Sequence, residues 1–140
     1  MSAGDFLDTN ILAYMFDETD VRKQRLAEAL VNEKLVTGTG CISSQVVQET
    51  LDVLIRRLGF VAEDARRTLE QVLVPLWQVY PSAALYQDAI TIQGRYGFSF
   101  YDSLIVAAAL EAGCTRLYSE DLQHGQQVQR LTIVNPFLNQ

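Results

Sequence analysis

The stretch FSFYDSLIVAAALEAGCTRLYS, residues 98–119, decides how this chain is read. Ser99 and Asp102 fit the Ser-x-x-Asp pattern that opens a helix. From Ser103 to Gly113 almost every position is apolar, the mark of a helix packed on all sides. Gly113 stops it, and TRLYS (115–119) follows at once as a strand. A helix that turns tightly into a strand runs back along it. The start of this helix, with Asp102 on it, therefore falls at the carboxyl end of the strand.

Working outward, the same alternation repeats. DFLD (5–8) is a very short apolar strand, and TNILAYMF opens a helix with Ile11, Leu12 and Met15 at helical spacing. Asp20 to about Lys34 is a helix with a stripe of Val21, Leu26, Ala27, Leu30 and Val31. GCIS (40–43) is a strand, followed by a helix over 44–58 whose face is Val47, Leu51, Leu54 and Leu58, stopped by Gly59. A helix is expected over 62–73, a strand over 76–80 between Pro75 and Pro81, and a helix over 82–96 ended by Gly97. A short helix is expected after Asp121, and LTIVNP (131–136) is the last strand. Five short strands alternating with helices predict an α/β fold with a parallel sheet covered on both faces. Ligands of such folds bind beyond the carboxyl ends of the strands.

Four acids from separate segments converge on that rim. Asp8 ends the first strand, and Asp121 lies just past TRLYS. Asp102 is placed there by the argument above. Glu49 sits in the second turn of the helix after GCIS, about 8 Å along its axis at 1.5 Å per residue. Each acid has a plainer reading. Asp8, Asp102 and Asp121 each suit a helix cap. Glu49 lies on the polar side of its helix with Gln48, Asp52 and Arg56, the solvent side by periodicity. Glu120, Asp52 and Asp5 read as surface charges. Jointly the plain readings weaken, because clustered carboxylates repel one another and must take up protons or cations. Oxygen ligands without histidine or cysteine suit Mg²⁺ or Mn²⁺ better than Zn²⁺.

Composition narrows the classes. The 140 residues suit one domain spanning 1–140, and 49% hydrophobic content argues against disorder. No apolar run reaches the ~18 residues a membrane span needs, and MSAGDFLD has neither the basic nor the hydrophobic region of a secretory signal, so a cytoplasmic protein without a membrane partner is expected. Cys41 and Cys114 read as buried thiols rather than a disulfide. The net charge of −6 disfavours a simple groove binder of nucleic acid. Arg22, Lys23 and Arg25, the pair Arg56 and Arg57, and the pair Arg66 and Arg67 read as solvated helix surface. His124 is the single histidine, which excludes a histidine-pair ribonuclease, and reads as a loop residue. No P-loop or dinucleotide-binding glycine motif occurs.

FLDTNILAY, SSQVVQETLDVL, FSFYDSLIVAAALEAGCTRLYSEDLQHG and LTIVNPF together resemble the PIN-domain family, most closely its small bacterial toxins called virulence-associated protein C. The resemblance covers nearly the whole chain, and the YDSLIVAAALEAG…LYSEDLQ block is its specific part. It implies a three-layer α/β/α sandwich around a five-stranded parallel sheet. It also implies a metal-dependent ribonuclease, the toxin of a type II toxin–antitoxin pair, with an antitoxin that occludes the site. The family's acidic quartet falls by position on Asp8, Glu49, Asp102 and Asp121. Asn10 and Ser119 match its supporting polar residues. Glu120, between Ser119 and Asp121, departs from the pattern and puts in question which acid of that pair meets a metal. In the related toxins apolar surfaces serve homodimers and antitoxin helices; Leu12, Tyr14, Met15 and Phe16 are either such a surface or core. Two other readings stand beside the nuclease: a non-catalytic PIN-like module binding RNA or protein, and a receiver-like Mg²⁺-binding signalling domain. The second would normally carry a late lysine, and the last lysine here is Lys34.

Overall fold

Residues 4–138 are described by a computed structural model. The extreme ends of the expected 1–140 domain, including most of the MSAG start, lie outside them. The first strand, β1 (Asp5–Leu7), is buried at all three positions, which a strand achieves only when both sheet faces are covered. It is followed by α1 (Thr9–Tyr14), α2 (Val21–Thr37), β2 (Gly40–Ser43), α3 (Ser44–Asp52), α4 (Ala62–Thr68), α5 (Val74–Leu76), β3 (Trp77–Val79), α6 (Ala83–Tyr96), α7 (Phe100–Glu111), β4 (Arg116–Tyr118), β5 (Gln127–Val128) and β6 (Leu131–Val134). The strand order is β3-β2-β1-β4-β6-β5. The five strands expected from sequence pair in parallel, and helices cover both faces in an α/β/α sandwich.

Several details differ from the expectation. β5 is a sixth strand, antiparallel to β6 at the sheet edge; two residues are too few to show alternation. No helix follows Asp121. The segment bends and turns into β5, so Asp121 has no helix to cap. The long helices after β2 and over residues 62–73 each widen into a π-helical turn, at Val53–Arg57 and Leu69–Leu73. The second lies just before Pro75, whose ring would clash with the carbonyl four residues back in a regular helix. On α2 the buried residues are Ala27, Val31 and Lys34, while Val21 and Leu26 are exposed.

α7 is buried from Ser103 to Ala109, as its apolar sequence requires. Ser99 caps it by accepting a hydrogen bond from the Asp102 N–H at 3.1 Å, and Gly113 takes the left-handed conformation (φ 77°) that turns the chain into β4. Leu12 and Met15 are core residues, and Tyr14 and Phe16 pack against that core, so this stretch completes the core. Both cysteines are free and buried. Asp5, expected at the surface, is only 2% exposed. It is held by Lys34 at 2.6 Å and by both Nε (2.8 Å) and Nη2 (3.0 Å) of Arg116. No helix among the described residues is long and apolar enough to cross a membrane.

Candidate functional site

A cavity of about 510 Å³ opens at the carboxyl rim of the sheet. Asp8, Glu49, Asp102 and Asp121 all line it, together with Asn10. Asp8 follows β1 directly, Glu49 projects from α3, Asp102 from the first turn of α7, and Asp121 from the loop after β4. Glu49 is half-buried against the cavity, where helical periodicity alone points it to solvent.

Asp8 is the most constrained of the four. It is 6% exposed. Its Oδ1 accepts the Thr9 N–H at 2.7 Å, and its Oδ2 accepts the Ser119 hydroxyl at 2.8 Å. Burial pushes its pKa up from 3.8 to about 6 against the lowering effect of those two hydrogen bonds, and the charges of Asp121 and Glu49 add to the rise. Asp8 thus caps α1 through Thr9 and faces the cavity as well. Asp102 is likewise raised, chiefly by burial, with Asp121 and Glu49 contributing.

The other polar residues hold this arrangement. The Ser119 hydroxyl donates to Asp8 and accepts the N–H groups of Asp121 (3.2 Å) and Leu122 (3.4 Å). Asn10 bridges the same loop: its Nδ2 donates to Asp121 Oδ2 at 3.0 Å, and its Oδ1 accepts the Glu120 N–H at 3.2 Å. Glu120 is occupied elsewhere. It pairs with Lys23 and accepts the Tyr14 hydroxyl at 2.7 Å, while the Lys23 ammonium stands 4.9 Å from the centre of the Tyr14 ring. Glu120 is therefore neither a free surface charge nor a spare ligand. His124 is exposed and accepts the Asn135 N–H at 3.0 Å.

Two neighbours escaped the sequence reading. Thr9 Oγ1 donates to Glu49 Oε1 at 2.7 Å, and Gln45 Nε2 donates to Glu49 Oε2 and to the Tyr101 carbonyl, both at 3.3 Å. Gln45 stands one helical turn before Glu49, a spacing that offered a signal; nothing in sequence links Thr9 to a residue forty positions on.

Charge balance defines what the cavity can hold. Among the described residues, seven carboxylates and one guanidinium, that of Arg57, line it. Asp52 is paired with Arg56 and Glu120 with Lys23. Asp8, Glu49, Asp102 and Asp121 form no ion pair among the described residues. No group of three or more His, Cys, Asp or Glu side chains among those residues is drawn together closely enough to hold a metal. The donor chemistry nonetheless fits a hard divalent cation: oxygen ligands only, uncompensated charge, and a buried acid whose charged form is disfavoured by burial and would be favoured by a cation beside it.

An α/β sandwich with unpaired acids at its carboxyl rim describes a broad class, and sequence comparison narrows it. The model of the PIN domain matches residues 6–127, and the chain belongs to the PIN-domain family. No curated protein matches the sequence. Among solved structures, the fold is similar to that of Mycobacterium tuberculosis VapC20, a sarcin–ricin loop cleaving toxin, at 23% identity and TM-score 0.61, covering 84% of this chain and 90% of that one. It is also similar to FitAcB from Neisseria gonorrhoeae, at 18% identity and TM-score 0.62, covering 95% and 98%.

Proposed function

We propose that this chain is a metal-dependent endoribonuclease, a single PIN domain over residues 1–140, acting in the cytoplasm as the toxin of a type II toxin–antitoxin pair. The observation that carries the reading is the cluster of Asp8, Glu49, Asp102 and Asp121 on one cavity, with no cation among the described residues paired to any of them. Asp8 and Asp102 are its central catalytic ligands for Mg²⁺ or Mn²⁺, and Glu49 and Asp121 complete the set directly or through water. A bound divalent ion lowers the pKa of a water and offsets charge on a phosphodiester. The chain's own residues do the positioning. Ser119 and the Thr9 N–H fix both oxygens of Asp8, Asn10 aims Asp121, and Thr9 and Gln45 hold Glu49. The buried mount of α7 keeps Asp102 at the rim.

The partners in this reading are an RNA, a cognate antitoxin and a second copy of the chain. The toxin named among the similar folds supports it. The absence of a tight three-carboxylate group among the described residues favours the second reading, a binding module without catalysis. One assay separates them. The purified chain, free of co-purifying protein, should cut RNA with Mg²⁺ or Mn²⁺, stop with chelator, and lose cutting in Asp102→Asn. Cutting that survives both changes would refute the catalytic assignment; binding without cutting would leave the module.

A further inference from the structure

Beside the acidic cavity lies a second one of about 390 Å³ with a different chemistry. Among the described residues, none of those lining its walls is charged. Tyr80, Tyr86, Phe100 and Tyr101 line it and are 57%, 42%, 39% and 64% exposed, a concentration of open aromatic rings that folding alone does not call for. It opens on the same rim, beyond the ends of β2 and β3 and between the starts of α6 and α7. Gln45 and Tyr101 line both cavities, and the Gln45 amide ties the Tyr101 backbone to Glu49. The two are adjoining compartments of one groove.

The acidic cavity repels phosphate, and a chain of net charge −6 gains little from the counterion release that drives most nucleic-acid binding. Affinity for a polynucleotide must come from a surface that does not repel it. Open aromatic rings supply that, since stacking a base on an aromatic side chain contributes about 1–3 kcal/mol and tolerates sequence. The exposed side-chain amide of Gln48 on the wall can meet base edges. Phe100 and Tyr101 stand edge to face, 5.6 Å between centroids, so one ring can take a base face while the other closes its side. Resting on the nuclease reading, we propose that this aromatic cavity is the substrate subsite for unpaired bases flanking the phosphate held at the acids. The substrate class is single-stranded RNA, because paired bases cannot leave their stack without cost.

The chain carries its own reporter. Trp77, the single tryptophan, lies 5.2 Å from Tyr80 between ring centroids and donates its indole N–H to Ser44 at 3.0 Å. A single-stranded RNA hexamer, titrated with chelator present so that nothing is cut, should change Trp77 fluorescence saturably and with a shallow salt dependence. Tyr101→Ala and Phe100→Ala should each weaken binding about tenfold, Tyr101→Phe should restore it, and the same hexamer in a duplex should bind about tenfold more weakly. Unchanged affinity in both alanine variants, in protein that still cuts RNA with Mg²⁺, overturns the subsite and leaves the nuclease. Aromatic-dependent binding in protein that fails to cut RNA with any divalent ion keeps the subsite and removes the nuclease. Sedimentation of the same variants gives the remaining outcome: loss of a dimer with RNA affinity intact assigns the face to a second copy and overturns the proposal.

Discussion

Asp8→Asn is expected to make the protein more stable above pH 6 while abolishing any metal-dependent cutting. Asp8 is buried, and its pKa stands at about 6 in the fold against 3.8 ordinarily. A raised carboxylate favours folding in its protonated form. That contribution is fully present below the unfolded value near 4 and is lost as pH rises through 6. At about 1.4 kcal/mol per tenfold change in the proton equilibrium, the ionised group costs the fold on the order of 3 kcal/mol above pH 6. Asparagine escapes this cost. It keeps an acceptor for the Thr9 N–H but cannot accept the Ser119 hydroxyl with its amide nitrogen, a loss of about 1 kcal/mol. The net gain is about 1–2 kcal/mol, or roughly 4–8 °C in Tm for a chain of this size. Urea and thermal unfolding with chelator at pH 8 should show the variant ahead, and the gap should close between pH 6 and pH 4. Mg²⁺ should then raise the Tm of the unsubstituted protein and leave the variant unmoved. A variant less stable at pH 8, or a gap indifferent to pH, would refute the assignment of Asp8 as a strained buried acid.

Asp102→Asn should lower RNA cutting about 100-fold or more while leaving Tm within about 2 °C, because the cap of α7 uses the backbone N–H of residue 102; gel assay and calorimetry on one preparation check both. Glu120→Gln tests the division of labour in the last pair of acids. With Lys23 and Tyr14 as its partners, it should cost about 1 kcal/mol of stability and leave cutting within a few-fold, whereas Asp121→Asn should reduce cutting at least about tenfold. The reverse ranking would hand the site to Glu120. At the opposite end of the sheet, Asp5→Asn should destabilise by about 3–5 kcal/mol in urea titration, since it leaves the buried Lys34 only the exposed Glu33 carboxylate at 3.9 Å. A cost below about 1 kcal/mol would mean that the Lys34 ammonium reaches water.

Much of the fold was legible because its signals are local. The apolar run after Asp102 marks a buried helix, Gly113 marks its end, and the polarity of that turn puts Asp102 at the rim. Asp8 and Asp121 follow the same reasoning from the ends of their strands, and Asn10 and Ser119 came with the family resemblance. Glu49 was reached by counting turns, against a periodicity that pointed it outward.

What the sequence by itself determined is the order of the elements, the direction of each against the sheet, and hence which edge collects the acids. These depend on hydrophobic period, caps and turns, all set within a few residues. Only the tertiary structure decided the pairings across long separations. Lys23 meets Glu120 across 97 positions, which frees Asp121 for the cavity. Asp5 is buried because Lys34 and Arg116 reach it from other elements, and Thr9 finds Glu49. It also decided that Tyr80 after β3, Tyr86 on α6 and the adjacent Phe100 and Tyr101 on α7 line one cavity beside the acids, with no charged wall among the described residues. Such contacts turn on where distant side chains meet in space, and no local pattern of polarity carries that information.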